Sequence, residues 1–113
     1  MVMENKREFF RLELKDEDVT VIHPGGKEAA MIKDISATGL SFEAHYEFAF
    51  EWAILLFQVN KVKFERKALF VRRNGLASGK YFYAVRFINF DEEERKKLFQ
   101  AIMQEQAKKL GNK

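Results

Sequence analysis

The sequence contains no cysteine, which excludes disulfide staples and thiolate metal sites. Histidine is almost as scarce, with only His23 and His45, so no metal and no metal cofactor is expected. His23 falls in a Pro-Gly turn and His45 follows a predicted strand, and both are expected at the surface. Neither is placed beside Ser36, which also lacks the Gly-x-Ser-x-Gly setting of a hydrolase nucleophile. The chain is therefore expected not to be an enzyme. No apolar run approaches the length needed to cross a bilayer, and Met1-Val2-Met3 followed by charges is not a signal peptide. The expectation is a cytoplasmic protein without membrane insertion. Internal repeats and low-complexity tracts are also missing. Acid is locally scarce, since Glu65 is the single acidic residue among eight basic ones between Lys61 and Arg86.

What is present fits one small domain. A chain of 113 residues can bury one core but not two, and its 12 phenylalanines make aromatic packing the main filling of that core. A net charge of +3 permits an anionic partner without demanding one. Alternation of apolar and polar residues predicts a strand through Arg7–Leu14, a turn at Asp16-Glu17-Asp18, and a second strand over Val19–Ile22. His23-Pro24-Gly25-Gly26 breaks the chain into a hairpin or loop. Ala29–Ile35 and Leu40–Ala44 follow as strands around a turn, the latter with Leu40, Phe42 and Ala44 pointing inward. Phe50–Val59 is apolar at both parities, which predicts a strand covered on both sides or a surface that docks something. From Val62 to Arg73 the alternation changes phase, with Val62 and Phe64 on one parity and Leu69 and Val71 on the other, a sign of a bulge or sharp bend. Asn74-Gly75 and Ser78-Gly79 mark a loop before a strand over Tyr81–Ile88.

The last element is a helix opened by a capping box, Asp91 with Glu94, with acids in its first turn and Lys108 and Lys109 in its last. Leu98, Phe99, Ile102, Met103 and Leu110 form its apolar stripe. Together these elements predict an α+β domain, a small six-stranded antiparallel β-barrel with a C-terminal α-helix packed against it.

Two stretches carry candidate chemistry. Arg7 and Arg11 lie four residues apart and share a face whether the chain is extended or helical. A guanidinium offers a planar fork of donors that fits phosphate or the acceptor edge of guanine. By itself such a pair is more often a solvated edge beside acids such as Glu8 or Glu13. Asp34-Ile35-Ser36-Ala37-Thr38-Gly39 is the second stretch. Its residues favour turns, and they also offer a carboxylate for guanine N1 and N2, a hydroxyl, and a glycine that lets backbone approach a ligand.

Arg-x-x-x-Arg followed by Asp-x-Ser-x-x-Gly resembles the motif pair of the PilZ domain family. Tyr81–Phe87 and the capped C-terminal helix resemble that family's late strand and last helix, so the likeness spans the chain. One departure is Ala84, where such domains often have glycine. The resemblance implies a split-barrel domain over residues 1–113, with residues 1–11 a mobile arm and 91–110 the helix. It implies a bacterial, non-enzymatic receptor for the second messenger cyclic di-GMP, with Arg7, Arg11, Asp34, Ser36 and Gly39 as ligand residues. Lys6 and Arg86 are possible additions. The signal would pass to an effector protein in motility, pilus or exopolysaccharide control, from a monomer or weak homodimer. The alternatives are a PilZ-type protein adaptor without nucleotide dependence and a basic barrel for single-stranded nucleic acid, for which the Lys61–Arg86 excess is the only direct support.

Overall fold

The computed structural model describes residues 12–111, with the side chains of 13–16 and 110–111 outside the description. Arg7, Arg11, Lys6 and the expected N-terminal arm all lie outside the described residues. Six strands follow one another, β1 (Leu12–His23), β2 (Gly26–Ser36), β3 (Gly39–Ala44), β4 (Trp52–Val59), β5 (Val62–Gly75) and β6 (Tyr81–Ile88), and then the helix α1 (Glu92–Gly111). The strands close into an antiparallel barrel in the order β1-β2-β3-β6-β5-β4. Among the described residues each strand is thus paired on both sides, β1 with β4 through Val19–Ile22.

Local sequence explains each connection. Pro24-Gly25 joins β1 to β2, with His23 opposite Gly26 at φ 141°. Ala37-Thr38 joins β2 to β3, with Ser36 opposite Gly39. Asn60 and Lys61 take φ of 52° and 66° between the paired Val59 and Val62, the left-handed pair that a tight two-residue hairpin requires. Asn60 accepts the strain most readily, and its side chain donates to Gln104 Oε1 at 2.8 Å and accepts from Lys108 Nζ at 3.0 Å. The β4–β5 turn is thereby tied to the helix.

The core is the inner parity of the strands. Val19, Val21, Ile32, Ile35, Leu40 and Leu55 are among its fully buried side chains, each worth about 1.5–3 kcal/mol of apolar burial. At the end carrying the β1–β2 turn, the mouth is plugged by Phe48, Phe50 and Tyr83, with His23 stacked on Phe50 at 4.8 Å. The Tyr83 hydroxyl accepts from the Phe48 amide at 2.6 Å and donates to Tyr46 O at 3.0 Å. Arg73 donates to the carbonyls of Phe48 and Phe50, at 2.8 and 2.6 Å, and clamps the same loop.

The opposite end is closed by α1, whose capping box forms as the sequence predicts. Asp91 accepts from the Glu94 amide at 2.8 Å, and Glu94 accepts from the Asp91 amide at 2.9 Å. Leu98, Ala101 and Ile102 are buried. Arg66 reaches across to Glu94 O at 2.9 Å and packs its guanidinium against Phe64 and Phe90. Burial lowers its pKa from the usual value, and the carboxylates of Glu94 and Asp91 oppose that shift.

Several expectations are corrected. Asp16–Asp18 is not a turn: β1 runs through it, with an irregular register between Glu13 and Glu17 that absorbs the extra residues. Val71 does not turn inward, being 58% exposed, because Phe64, Arg66, Ala68 and Phe70 keep one parity inside. Arg66 at an inward position is what made the pattern read as a phase change. The expected bulge does form within this span, between Phe70 and Arg72. On β4 only Ala53, Leu55, Phe57 and Val59 are buried, while Trp52 is exposed and Ile54 and Leu56 are half-buried. Met103 is exposed, so the docked face of α1 is narrower than its apolar stripe. His23 is not a surface residue, its side chain being only 12% exposed in the plugged mouth.

Candidate ligand site

The β2–β3 hairpin places the motif residues on two levels. Because Ala37 and Thr38 form the turn, Ser36 faces Gly39, Ile35 faces Leu40, and Asp34 faces Ser41. Ile35 and Leu40 point into the core, so both flanking levels point outward. Gly39 in turn faces Arg86 of β6, and Ser41 faces Ala84. Asp34, Ser36, Gly39 and Arg86 are therefore brought to one outer face, at the end of the barrel closed by the helix.

Their environments differ. Ser41 Oγ donates to Asp34 Oδ1 at 2.8 Å, which fixes the carboxylate on the half-buried outer surface. Ser36 is 1% exposed, and its hydroxyl is engaged with its own turn. It accepts from the Thr38 amide at 3.3 Å, lies 3.3 Å from Thr38 Oγ1 and donates to Gly39 O at 3.4 Å. Gly39 is also shaped by the fold, since a Cβ there would run into the carbonyl oxygen of Val85. The close approach it permits is that of β6, and the Phe87 amide donates to Thr38 O at 2.8 Å on the same seam. Arg86 is exposed beside it.

A scan of the sequence matches the PilZ domain family model over residues 5–104. The chain belongs to the PilZ domain family. No curated protein matches it in sequence. Among solved structures it is similar to the Bacillus subtilis inhibitor of motility MotI/DgrA, with 18% identity and a TM-score of 0.75 over 90% of this chain and 52% of that one. It is similar to the Legionella protein Lpg0364 at 18% identity and TM-score 0.66, covering 89% of this chain and 98% of that one. The PilZ domain of Escherichia coli YcgR, solved with c-di-GMP, matches at 14% identity and TM-score 0.65, over 96% and 98% of the two chains. The chain thus spans about half the length of MotI/DgrA but nearly all of the other two. At these identities the likeness is one of fold.

Within this PilZ barrel, sequence reasoning missed Ser41. Its signal was available, because a two-residue turn at Ala37-Thr38 fixes Asp34 opposite Ser41 by counting. Two of the basic residues counted between Lys61 and Arg86 are also reassigned. Arg66 serves the helix and Arg73 the mouth loop, which reduces the cationic surface open to a nucleic acid. Among the described residues no group of three or more His, Cys, Asp or Glu could hold a metal ion, and no helix is long and apolar enough to cross a membrane.

Proposed function

We propose that this PilZ domain is a receptor for cyclic di-GMP rather than an enzyme, and that it passes the signal to a partner protein in the cytoplasm. In this reading residues 1–11 are an arm that closes over the ligand. Arg7 and Arg11 bond its phosphates and the O6/N7 edge of a guanine, with Lys6 adding charge. Asp34 accepts from guanine N1 and N2 on the outer face of β2, and Arg86 borders the same site from β6. Ser36 and Gly39 act mainly by holding the hairpin and its seam with β6 in the shape that presents Asp34.

The observation that carries this reading is the Asp34 carboxylate fixed by Ser41 on the outer face, in a PilZ domain whose sequence carries Arg7, Arg11, Asp34, Ser36 and Gly39. Two lines from similar structures support it, since YcgR and MrkH of K. pneumonia were each solved in complex with c-di-GMP. Each charge-assisted bond contributes about 1.5–3 kcal/mol, so loss of one arginine should weaken binding at least about tenfold. Calorimetry with cyclic di-GMP, GMP and an oligonucleotide on wild type and Arg11→Ala tests it. The expected result is selective binding of the cyclic dinucleotide that collapses in the variant. Absence of heat, or an unaffected variant, would overturn the proposal.

A further inference from the structure

Ala84 stands directly opposite Ser41 of β3 on one side and Arg72 of β5 on the other. Opposed residues point to the same side of a sheet, and Tyr83 and Val85 on either side of Ala84 are buried in the core. Ala84 therefore continues the outer surface on which Ser41 fixes Asp34. Ser41 and Ala84 make a low floor there, about 5 Å apart at the backbone. Alternate residues of a strand share a side, so Phe82 and Arg86 flank Ala84 along β6. Arg72 reaches the same floor from β5. Phe70 is buried, and a residue two further on would also point inward, but the bulge between Phe70 and Arg72 re-aims Arg72 outward. Its guanidinium lies 5.8 Å from the centroid of the Phe82 ring, and so over β6. The ion pairs among the described residues belong to His23, Lys33 and Arg95, so neither Arg72 nor Arg86 has a carboxylate partner there. Glu43, which faces Phe82, lies 4.0 Å from Lys33 Nζ. Arg73 is committed elsewhere, to the Phe48 and Phe50 carbonyls.

We infer that the cyclic dinucleotide lies across Ser41 and Ala84, and that Arg72 holds the half of it that is distant from Asp34. The inference rests on the receptor reading and extends it to the second half of the ligand. One guanine at Asp34 leaves two phosphates and a second guanine to be placed. The carboxylate on β2, the floor on β3 and β6, and the guanidinium over Phe82 occupy three neighbouring strands, about 10 Å across. Arg72 donates to a phosphate or to the O6/N7 edge of the second guanine, and Arg86 supplies a cation on the other side of Ala84. Phe82 is a positioning residue, since its ring holds the guanidinium over the floor. The alanine matters for its size, because a larger side chain at that point would stand where the ligand must lie.

Calorimetry with cyclic di-GMP on wild type, Arg72→Ala, Ala84→Leu and Lys63→Ala tests the inference, with circular dichroism and the thermal midpoint to confirm the fold. Arg72 is exposed, and its loss should weaken binding at least about tenfold with the midpoint near wild type. Ala84→Leu adds bulk on the outer face alone and should weaken binding at least about tenfold. Lys63, exposed on β5 opposite Gln58, controls for a general effect of charge, and its loss should change affinity by less than about twofold. Phe82→Leu should weaken binding by the wild type but add little to Arg72→Ala, because both changes remove one contact. Wild-type binding that survives Arg72→Ala or Ala84→Leu, or that Lys63→Ala weakens as much, would overturn the inference and leave the receptor reading standing. Independent, additive losses from Phe82→Leu and Arg72→Ala would overturn the positioning role. Absence of binding by the wild type would overturn the receptor reading, and this inference with it.

Discussion

The two ends of the barrel use polar groups differently. At the mouth they serve the fold, where the Tyr83 hydroxyl bridges Phe48 and Tyr46, Arg73 holds two loop carbonyls, and His23 Nδ1 accepts from the Gly25 amide at 3.1 Å. At the helix end one hairpin combines two uses. Its Ser36–Gly39 level secures the turn and the β3–β6 seam, whereas its Asp34–Ser41 level sets a carboxylate on the outer surface. In the receptor we propose, the motif residues divide by the level of the hairpin they occupy, because Ser36 and Gly39 are engaged by the turn and by the seam with β6.

The largest expected effect breaks the helix end. Gly39→Val must push against the Val85 backbone carbonyl, which has no flexible side chain to yield, and a cost of about 3 kcal/mol is expected. A urea midpoint close to wild type would show that the seam does not need glycine. At the mouth, Tyr83→Phe leaves the buried Phe48 amide without its acceptor and should cost about 1–3 kcal/mol by the same measurement.

The mouth also carries a pH signature. Burial raises the Tyr83 phenol above its usual 10.0, against the lowering effect of the Phe48 amide. The folded chain then keeps a proton that the unfolded chain releases. Stability from this source is complete below about pH 10 and is lost as pH climbs through the raised value. Wild type should therefore lose stability more steeply than Tyr83→Phe above pH 10, and parallel curves would contradict a buried neutral phenol.

Much of this division is legible in the sequence, for reasons that can be named. Strict alternation in Leu40–Ala44 and the Asp91/Glu94 box are local rules, and the barrel obeys them. The motif residues of the hairpin meet on one outer face as their spacing implies. Tertiary packing hid the rest. Arg66 sits inward because Glu94 O and two aromatic rings accept it there, and no window on β5 contains that information. His23 is drawn into the mouth by Phe48 and Phe50, which arrive from a distant loop. The engagement of Ser36 within its turn depends on which way a hydroxyl rotates once the hairpin forms, so the motif alone could not separate it from Asp34.

The central claim is that the two hairpin levels have different jobs, and Asp34→Asn compared with Ser36→Ala tests it most directly. Asparagine keeps an acceptor for Ser41 but presents an amide to the guanine donors, so cyclic di-GMP affinity should fall about tenfold or more with the thermal midpoint near wild type. Ser36→Ala should instead lower stability by about 1 kcal/mol and weaken binding less. Measuring affinity by calorimetry and the thermal midpoint on the same preparations decides between the roles. The account predicts an affinity loss in the first variant and a stability loss in the second, and the reverse pattern would contradict it.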